Sequence, residues 1–330
     1  MNILAPLAVV VGLFLIGLLG SFAPVMGWVF GVVIPYVAIV LFLGGLIHLV
    51  ITYAKIPVPF RITTTCGQAK SLPWIKQAKL ECPSSTLGVA GRMFLEVAFF
   101  RSLFRNTKSQ LLAGGKLVYG TSLWLWLGAI AFHWALLVVL IRHLRFFTSP
   151  VPAFITFFEE ADGFLEVGVP VFFVTSVLFL AGLVFLLLRR LTIPQMRYIS
   201  LLDDYFPLFL LLGIGLSGFW LRHFDKTDIV AVKQLGVGLV SFSPHVATTI
   251  DPLFYGHLFL VCVLLAYFPF GKLVHMVGVF LSPTRNMAND NRMVRHVNPW
   301  DYPVKVHPYD EYEDEWRDKM KAAGVPVEKE

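Results

Sequence analysis

Apolar residues are concentrated in six long stretches of the chain. A helix needs roughly 20 apolar residues to cross a hydrocarbon core about 30 Å thick. The stretches contain no Asp, Glu or Arg, and Lys272, near the end of the sixth, is their only Lys. They cover residues 3–22, 28–54, 117–141, 168–188, 205–221 and 252–281. The pattern predicts an all-α integral membrane protein with six transmembrane helices. No Lys or Arg precedes Lys55, so we interpret the first stretch as a retained helix and not as a signal peptide.

Basic residues are distributed unevenly between the connections. The segment 55–116 contains ten Lys and Arg residues against Glu81 and Glu96. The connection 143–167 contains Arg145 against four acidic residues. Because short cytoplasmic connections carry the excess of Lys and Arg, we expect both termini and the basic segment in the cytoplasm. The expected location is the cell inner (cytoplasmic) membrane.

These features divide the chain into four parts. They are the first two transmembrane helices (1–54), a basic cytoplasmic or interfacial segment (55–116), a four-helix membrane region (117–281) and a cytoplasmic tail (282–330).

Two polar parts have further patterns. Residues 87–104 look apolar, but charged residues interrupt them, which favours an amphipathic helix at the cytoplasmic interface. The tail carries an acidic run between Asp310 and Trp316. It is either a strap over a partner or a frayed end.

Composition excludes several classes of protein. Of the 330 residues 57% are hydrophobic and only 15% are charged, whereas soluble domains are typically about 25% charged. An ordinary soluble enzyme and a disordered chain are both excluded. Nucleic-acid binding is not expected, because no basic stripe lies on a soluble domain. Cys66, Cys82 and Cys262 lie far apart and form no iron–sulfur motif.

Four histidines in the membrane region carry the functional signal. His133 and His143 lie on the third span, and His257 and His275 lie on the sixth. Imidazole inside a bilayer is costly and usually functional, and it is a common axial ligand of haem iron. Two helices that each offer two His can hold two haems stacked across the membrane.

The pairing follows from topology. The third and sixth spans run antiparallel, so the outer pair is His143 with His257 and the inner pair is His133 with His275. At 1.5 Å per residue, His133 and His143 are about 15 Å apart along the third span, and His257 and His275 are about 27 Å apart along the sixth. These two distances do not match. We expect tilt, and a bend near Pro269 and Gly271, to absorb the difference.

Two other membrane histidines stay open as alternatives. His48 on the second span and His223 at the end of the fifth can replace a ligand, line a quinone pocket or simply pack. His245, His296 and His307 lie in aqueous segments, and we interpret them as surface residues.

The histidine spacing resembles that of the cytochrome b, or gamma, subunits of respiratory nitrate reductases, over residues 28–281. Three further features are similar to the DsrM-like membrane cytochromes b of DsrMKJOP complexes. These are the extra first span, RITTTCGQAK at 61–70, and the tail after LSPTRNM at 281–287.

The resemblance implies two b haems held by the four histidines and a quinol site near the outer haem. It also implies electron exchange with a cytoplasmic iron–sulfur subunit (DsrK-like, resembling heterodisulfide reductase) and other subunits of a complex, in dissimilatory sulfur metabolism. Nitrate reductase subunits place a Lys near the outer haem and quinone, and residues 143–167 show no evident match to it.

The functional hypothesis is menaquinol oxidation at the outer leaflet beside His143 and His257. Two protons leave outward, and two electrons pass to the inner side and to the partner. Arg142 and Arg145 are candidate partners of haem propionates, since Arg binds carboxylates bidentately, or they are interface anchors. The acidic residues of 143–167 either accept quinol protons or form a solvated loop; they are Glu159, Glu160, Asp162 and Glu166. The alternative function is a transporter or non-redox anchor subunit with a histidine proton relay.

Overall fold

The protein is described by a computed structural model, which covers residues 3–23, 25–56, 74, 76, 78–164, 173–225, 227–286 and 306–329. The helices are α1 Leu4–Gly20, α2 Met26–Lys55, α3 Thr86–Phe99, α4 Arg101–Phe104, α5 Leu123–Phe146, α6 Ala153–Phe164, α7 Val174–Thr192, α8 Pro194–Ile199, α9 Leu202–Asp225, α10 Ile229–Val240, α11 Pro252–Phe270, α12 Lys272–Leu281, α13 Pro283–Asn286 and α14 Tyr309–Ala322. The strands are β1 Thr107–Leu111 and β2 Leu117–Thr121.

Five helices of the described chain are long and apolar enough to cross a membrane: α2, α5, α7, α9 and α11. The first predicted span is α1, an apolar helix of 17 residues that packs along α11. The prediction of an all-α, multi-pass membrane protein is therefore confirmed.

The close packing of α1 on α11 depends on two glycines. A Cβ added to Gly17 would lie 2.7 Å from the Cβ of Phe259 and 2.9 Å from the carbonyl oxygen of Tyr255. A Cβ added to Gly256 would lie 2.8 Å from the ring of Phe14. Small residues let helix backbones approach in a membrane, where lipid is as apolar as the side chains. These two positions therefore fix α1 against the rest of the bundle.

The remaining spans form one contiguous bundle around α9. This helix contacts α1, α7 and α11, and its residue Leu210 packs with Val10 and Leu260 in one buried cluster. A second cluster joins α5 to α7 and α9 through Phe132, Phe179 and neighbouring side chains. The bundle thus brings α5 and the sixth span, which carry the candidate histidines, to opposite sides of one core.

The third span begins later than predicted. Residues 117–121, which we assigned to this span, form β2, and β2 pairs antiparallel with β1. The turn contains Gly114 and Gly115 at φ of +86° and +78°, values that glycine adopts without strain. Apolarity alone misled the prediction, since Leu117, Val118 and Tyr119 favour a strand as readily as a helix. The span itself starts at Leu123.

The predicted interfacial helix is present in two pieces. Residues 87–104 form α3 and α4, which break at Phe100, where φ is +51°. Arg92, a residue of α3, is buried, and its guanidinium donates to the carbonyl oxygens of Glu81 and Arg285. The Arg285 guanidinium in turn lies 2.8 Å from the Glu96 carboxylate. These contacts join the interfacial helix to the start of the tail.

The acidic run of the tail is helical. It lies in α14, and the buried carboxylate of Glu313 accepts hydrogen bonds from the backbone N–H groups of Glu328 (2.7 Å) and Lys329 (2.8 Å). Residues 309–329 are therefore folded on themselves and not frayed. Whether they cover a partner stays a prediction.

The first prediction concerns the contact of α1 with α11. Gly17→Val should cost about 1–3 kcal/mol of unfolding free energy, because the new side chain overlaps α11. Gly12→Val is the matched control on the same helix, since no atom of the described residues lies within 4 Å of a Cβ at Gly12. Unfolding by SDS in mixed micelles measures both variants. Equal stability of the two would contradict the glycine contact.

The second prediction concerns pH and the tail. The backbone N–H of Glu328 contributes most to lowering the pKa of Glu313 from 4.5 to about 2. Because the pKa of Glu313 is lower in the folded tail, its ionised carboxylate stabilises the fold fully above about pH 4.5. This stabilisation is lost as the pH falls toward 2. At neutral pH, Glu313→Gln should speed hydrogen exchange in residues 309–329 of the full chain. Glu315→Gln, at an exposed position of the same helix, should leave the exchange unchanged.

Candidate functional site

His133 and His275 face one another at one end of the bundle. Their ring centroids are 6.1 Å apart and their planes make an angle of 81°. The Nδ1 atom of His133 lies 2.7 Å from the carbonyl oxygen of Ala129, and that of His275 lies 2.8 Å from the carbonyl oxygen of Lys272. A carbonyl oxygen only accepts hydrogen bonds, so each Nδ1 carries the proton and each Nε2 presents a lone pair.

His143 and His257 lie at the other end of the bundle, and each Nδ1 atom again has a hydrogen-bond partner. The Nδ1 atom of His143 lies 2.7 Å from the carbonyl oxygen of Val139. The Nδ1 atom of His257 lies 2.9 Å from the hydroxyl oxygen of Ser217. That hydroxyl donates its own proton to the carbonyl oxygen of Gly213 at 2.7 Å, so it accepts from His257. The Nε2 atoms of both rings again present lone pairs.

Two residues that sequence reasoning missed hold His257. Ser217 orients the ring, and Gly218 leaves room for it, since a Cβ there would lie 3.0 Å from Cε1 of His257. His143 is near enough to interact electrostatically with His257. The small residues Ser217 and Gly218, which follow Gly213 and Gly215 in the run GIGLSG at 213–218, were the signal of this contact with His257 in the sequence.

The expected bend in the sixth span is confirmed. The helix α11 ends at Phe270, Gly271 is extended, and Lys272–Val274 form a 3₁₀ turn before His275. Lys272 is anchored by its ammonium group, which lies 2.6 Å from the Asp204 carboxylate at the start of α9. His257 and His275 therefore do not lie on one straight helix, so the spacing of about 27 Å for a continuous helix does not apply.

The end of the interfacial helix α3 reaches His133. The ring of Phe100 packs edge-on against His133 with centroids 5.0 Å apart. Two tryptophans of α5 hold this turn in place. Trp126 donates to the carbonyl oxygen of Phe99 at 2.8 Å, and Trp134 donates to that of Ala98 at 3.0 Å.

Arg142, beside His143, is buried in an ion pair. Its guanidinium binds the buried carboxylate of Asp162, which also accepts from the hydroxyl of Thr175 at 2.6 Å. The guanidinium carbon lies 3.7 Å from the ring centroid of Phe173. The Nε atom of Arg142 is buried and has no hydrogen-bond partner among the described residues. One strong donor therefore stays available beside His143.

The other polar residues predicted at this end are dispersed. Arg145 forms an ion pair with Glu159, which leaves the exposed Glu160 as a solvent-facing carboxylate of α6. Glu166 lies outside the described residues. His223 packs against the ring of Phe219 with centroids 4.5 Å apart. His48, which was predicted on the inner half of the second span and not at this end, is exposed on α2.

The donor set fits haem iron. Among the described residues, no group of three or more His, Cys, Asp or Glu side chains can hold a metal ion. A haem supplies the other ligands of its iron itself, so two imidazoles would suffice to hold it. The His133 and His275 rings, which lie together with centroids 6.1 Å apart, are such a pair of donors.

The third prediction concerns the buried ion pair. Asp162→Asn should lower the unfolding free energy by about 3 kcal/mol or more, because it leaves the Arg142 charge buried without its counter-ion. Glu159→Gln is the matched control, since the Arg145 side chain is 42% exposed and such pairs contribute about 1 kcal/mol or less. SDS unfolding in mixed micelles compares the two. If Glu159→Gln lowered the unfolding free energy more than Asp162→Asn, the buried Arg142–Asp162 pair would not be the more important of the two.

Comparisons with known proteins identify the family of the chain. The nitrate reductase gamma subunit family matches residues 96–296. Two relatives are described as Hdr-like menaquinol oxidoreductase cytochrome b-like subunits. That of Archaeoglobus fulgidus is 46% identical over 283 residues, which cover 84% of each chain. That of Archaeoglobus profundus is 43% identical over 275 residues, which cover 81% of each chain. The chain therefore belongs to the nitrate reductase gamma subunit family, as the spacing of its histidines predicted.

Proposed function

We propose that the chain is a dihaem cytochrome b subunit that takes electrons from menaquinol and delivers them to a soluble iron–sulfur subunit. Two relatives that are 46% and 43% identical are named as subunits of a menaquinol oxidoreductase. Five helices of the described chain are long and apolar enough to cross the membrane in which a quinol is dissolved.

The arrangement of the four histidines carries the proposal. His133 with His275 would hold one haem, and His143 with His257 would hold the second. In every ring Nδ1 is hydrogen-bonded and Nε2 is directed by that bond. A bound b haem supplies reversible one-electron chemistry. Arg142 is the proposed propionate contact, because its buried Nε lacks a partner among the described residues; Arg145 is a second, weaker candidate.

The quinol is proposed to bind at the His143–His257 end. His143 stands at the end of α5, where a ring carried in lipid can approach it, and its side chain is exposed. Oxidation of menaquinol releases two electrons and two protons. The Glu160 carboxylate is exposed on α6 at this end and can take up a proton, whereas Asp162 and Glu159 are neutralised by arginines.

The partner is proposed to bind at the opposite, basic end. Among the described residues no group of three or more His, Cys, Asp or Glu side chains can hold a metal ion, and Cys66 lies outside them. The iron–sulfur centre is proposed to belong to another subunit, which is DsrK-like and acts in dissimilatory sulfur metabolism. The basic segment orients this end to the cytoplasm of the cell inner membrane.

The rival function, a histidine proton relay in a transporter or anchor, receives less support. A relay through neutral imidazole passes protons between its two nitrogens. Three of the four Nδ1 atoms are bound to backbone carbonyl oxygens of their own helix, which holds one tautomer in place.

The fourth prediction tests ligation. His143→Ala or His257→Ala should remove one of two b-haem signals, and His133→Ala or His275→Ala should remove the other, because each iron loses an axial ligand. A pyridine haemochrome assay and reduced-minus-oxidised spectra of the purified protein measure haem per chain.

His48→Ala and His223→Ala are the controls, and both should keep two haems per chain. Loss of a haem in a control, with one of the four variants unaffected, would show that the ligand set is wrong. Absence of haem from the wild-type protein would contradict the proposed function as a whole.

A further inference from the structure

The β1–β2 hairpin has two chemically different faces. In an antiparallel pair, directly opposed residues lie on the same face and successive pairs alternate. The pairs Leu111–Leu117 and Ser109–Tyr119 share one face, and Gln110–Val118 lies on the other. We call Leu111, Leu117 and Tyr119 the apolar face. Leu111 is 72% exposed and Tyr119 is 70% exposed.

The hairpin has little support of its own. All ten residues of the two strands are exposed, and its base is closed by a hydrogen bond from Ser122 N–H to the carbonyl oxygen of Asn106 at 3.3 Å. An isolated two-stranded hairpin is marginally stable in water. Exposed apolar side chains on a strand pair that joins no larger sheet of the described chain are typical of a surface that another chain covers.

The hairpin lies at the end of the bundle that carries His133 and His275. It connects α4 to the first residue of α5, and His133 follows ten residues later, about 15 Å along the helix. A protein bound to the hairpin is therefore at the same end of the bundle as this histidine pair.

Charge indicates the kind of partner. Residues 78–121 contain six basic and two acidic residues. Glu81 is shared by Arg101 and Arg105, and Glu96 binds Arg285. Lys108 and Lys116 of the hairpin are exposed, and the chain has no acidic residue from 97 to 158. A complementary partner has an apolar patch bordered by carboxylates.

A lipid surface fits less well. Open sheet edges do not occur within the hydrocarbon region, because lipid cannot bind their unpaired N–H and C=O groups. In the described chain β1 and β2 pair with each other in a two-stranded sheet, so seating the apolar face in lipid would bury two open edges. A protein that covers the apolar face can also pair with a strand edge.

We propose that the apolar face of the β1–β2 hairpin is the docking surface for the soluble electron-accepting subunit, which presents an apolar patch with an acidic border. The proposal rests on the proposed function and adds the surface through which the partner binds.

The experiment uses the complex, co-expressed with its own subunits and purified through a tag on this chain. The apolar-face variant combines Leu111→Ser, Leu117→Ser and Tyr119→Ser. The purified variant should contain about one tenth or less of the soluble subunit that the wild-type complex contains, because apolar and aromatic anchors dominate interface energies. The matched control, Gln110→Ser with Val118→Ser, changes the other face of the same strands and should retain the subunit. Equal retention in both variants would overturn the inference.

A photo-reactive residue at Tyr119 provides the second measurement. It should cross-link to the soluble subunit in membranes, and a cross-link to lipid alone would overturn the proposal. Haem content and quinol oxidation with an artificial acceptor should be unchanged in both variants. If the wild-type protein contained no haem or did not oxidise quinol, the proposed function would be contradicted. Retention of the soluble subunit tests the docking surface by itself.

Discussion

Every polar group inside a bilayer must find its hydrogen-bond partner within the protein, because lipid offers none. The four imidazoles of the bundle meet this constraint with Nδ1 alone. Three bind a carbonyl oxygen three or four residues earlier in their own segment, and His257 binds Ser217 of α9. The constraint also selects the tautomer: once Nδ1 donates, Nε2 has only a lone pair. A requirement of the solvent thus leaves a lone pair on Nε2 of each ring.

His257 differs from the others because its partner lies on another helix. Ser217 must be oriented by Gly213, and Gly218 must lack a side chain, for the ring to be seated. The position of this ring therefore depends on how α9 packs against α11. The packing of α1 on α11 at Gly17 and Gly256 supports the same pair of helices from the other side. Small residues on α1 and α9, as well as Gly256 beside His257, thus contribute to where this imidazole lies.

Apolar runs were enough to predict a helical membrane bundle, and Pro269 and Gly271 were enough to predict the bend in the sixth span. These features depend on length and composition, which a single sequence displays directly. The hairpin was missed because Leu117, Val118 and Tyr119 are equally apolar in a helix or a strand, and only the Gly114–Gly115 turn distinguishes the two. Ser217 and Gly218 were missed because their role depends on a contact between residues 40 positions apart.

The turn at Phe100 shows how the interfacial helix and the membrane site are connected. A residue other than glycine in the left-handed region costs about 1–2 kcal/mol, so this backbone needs compensation. The break leaves the carbonyl oxygens of Ala98 and Phe99 without helical partners, and two indole N–H groups of α5 bind them. The same conformation turns the Phe100 ring onto His133. Since α3 is also joined to Arg285 through Arg92 and Glu96, the turn at Phe100 connects this contact to the imidazole of His133.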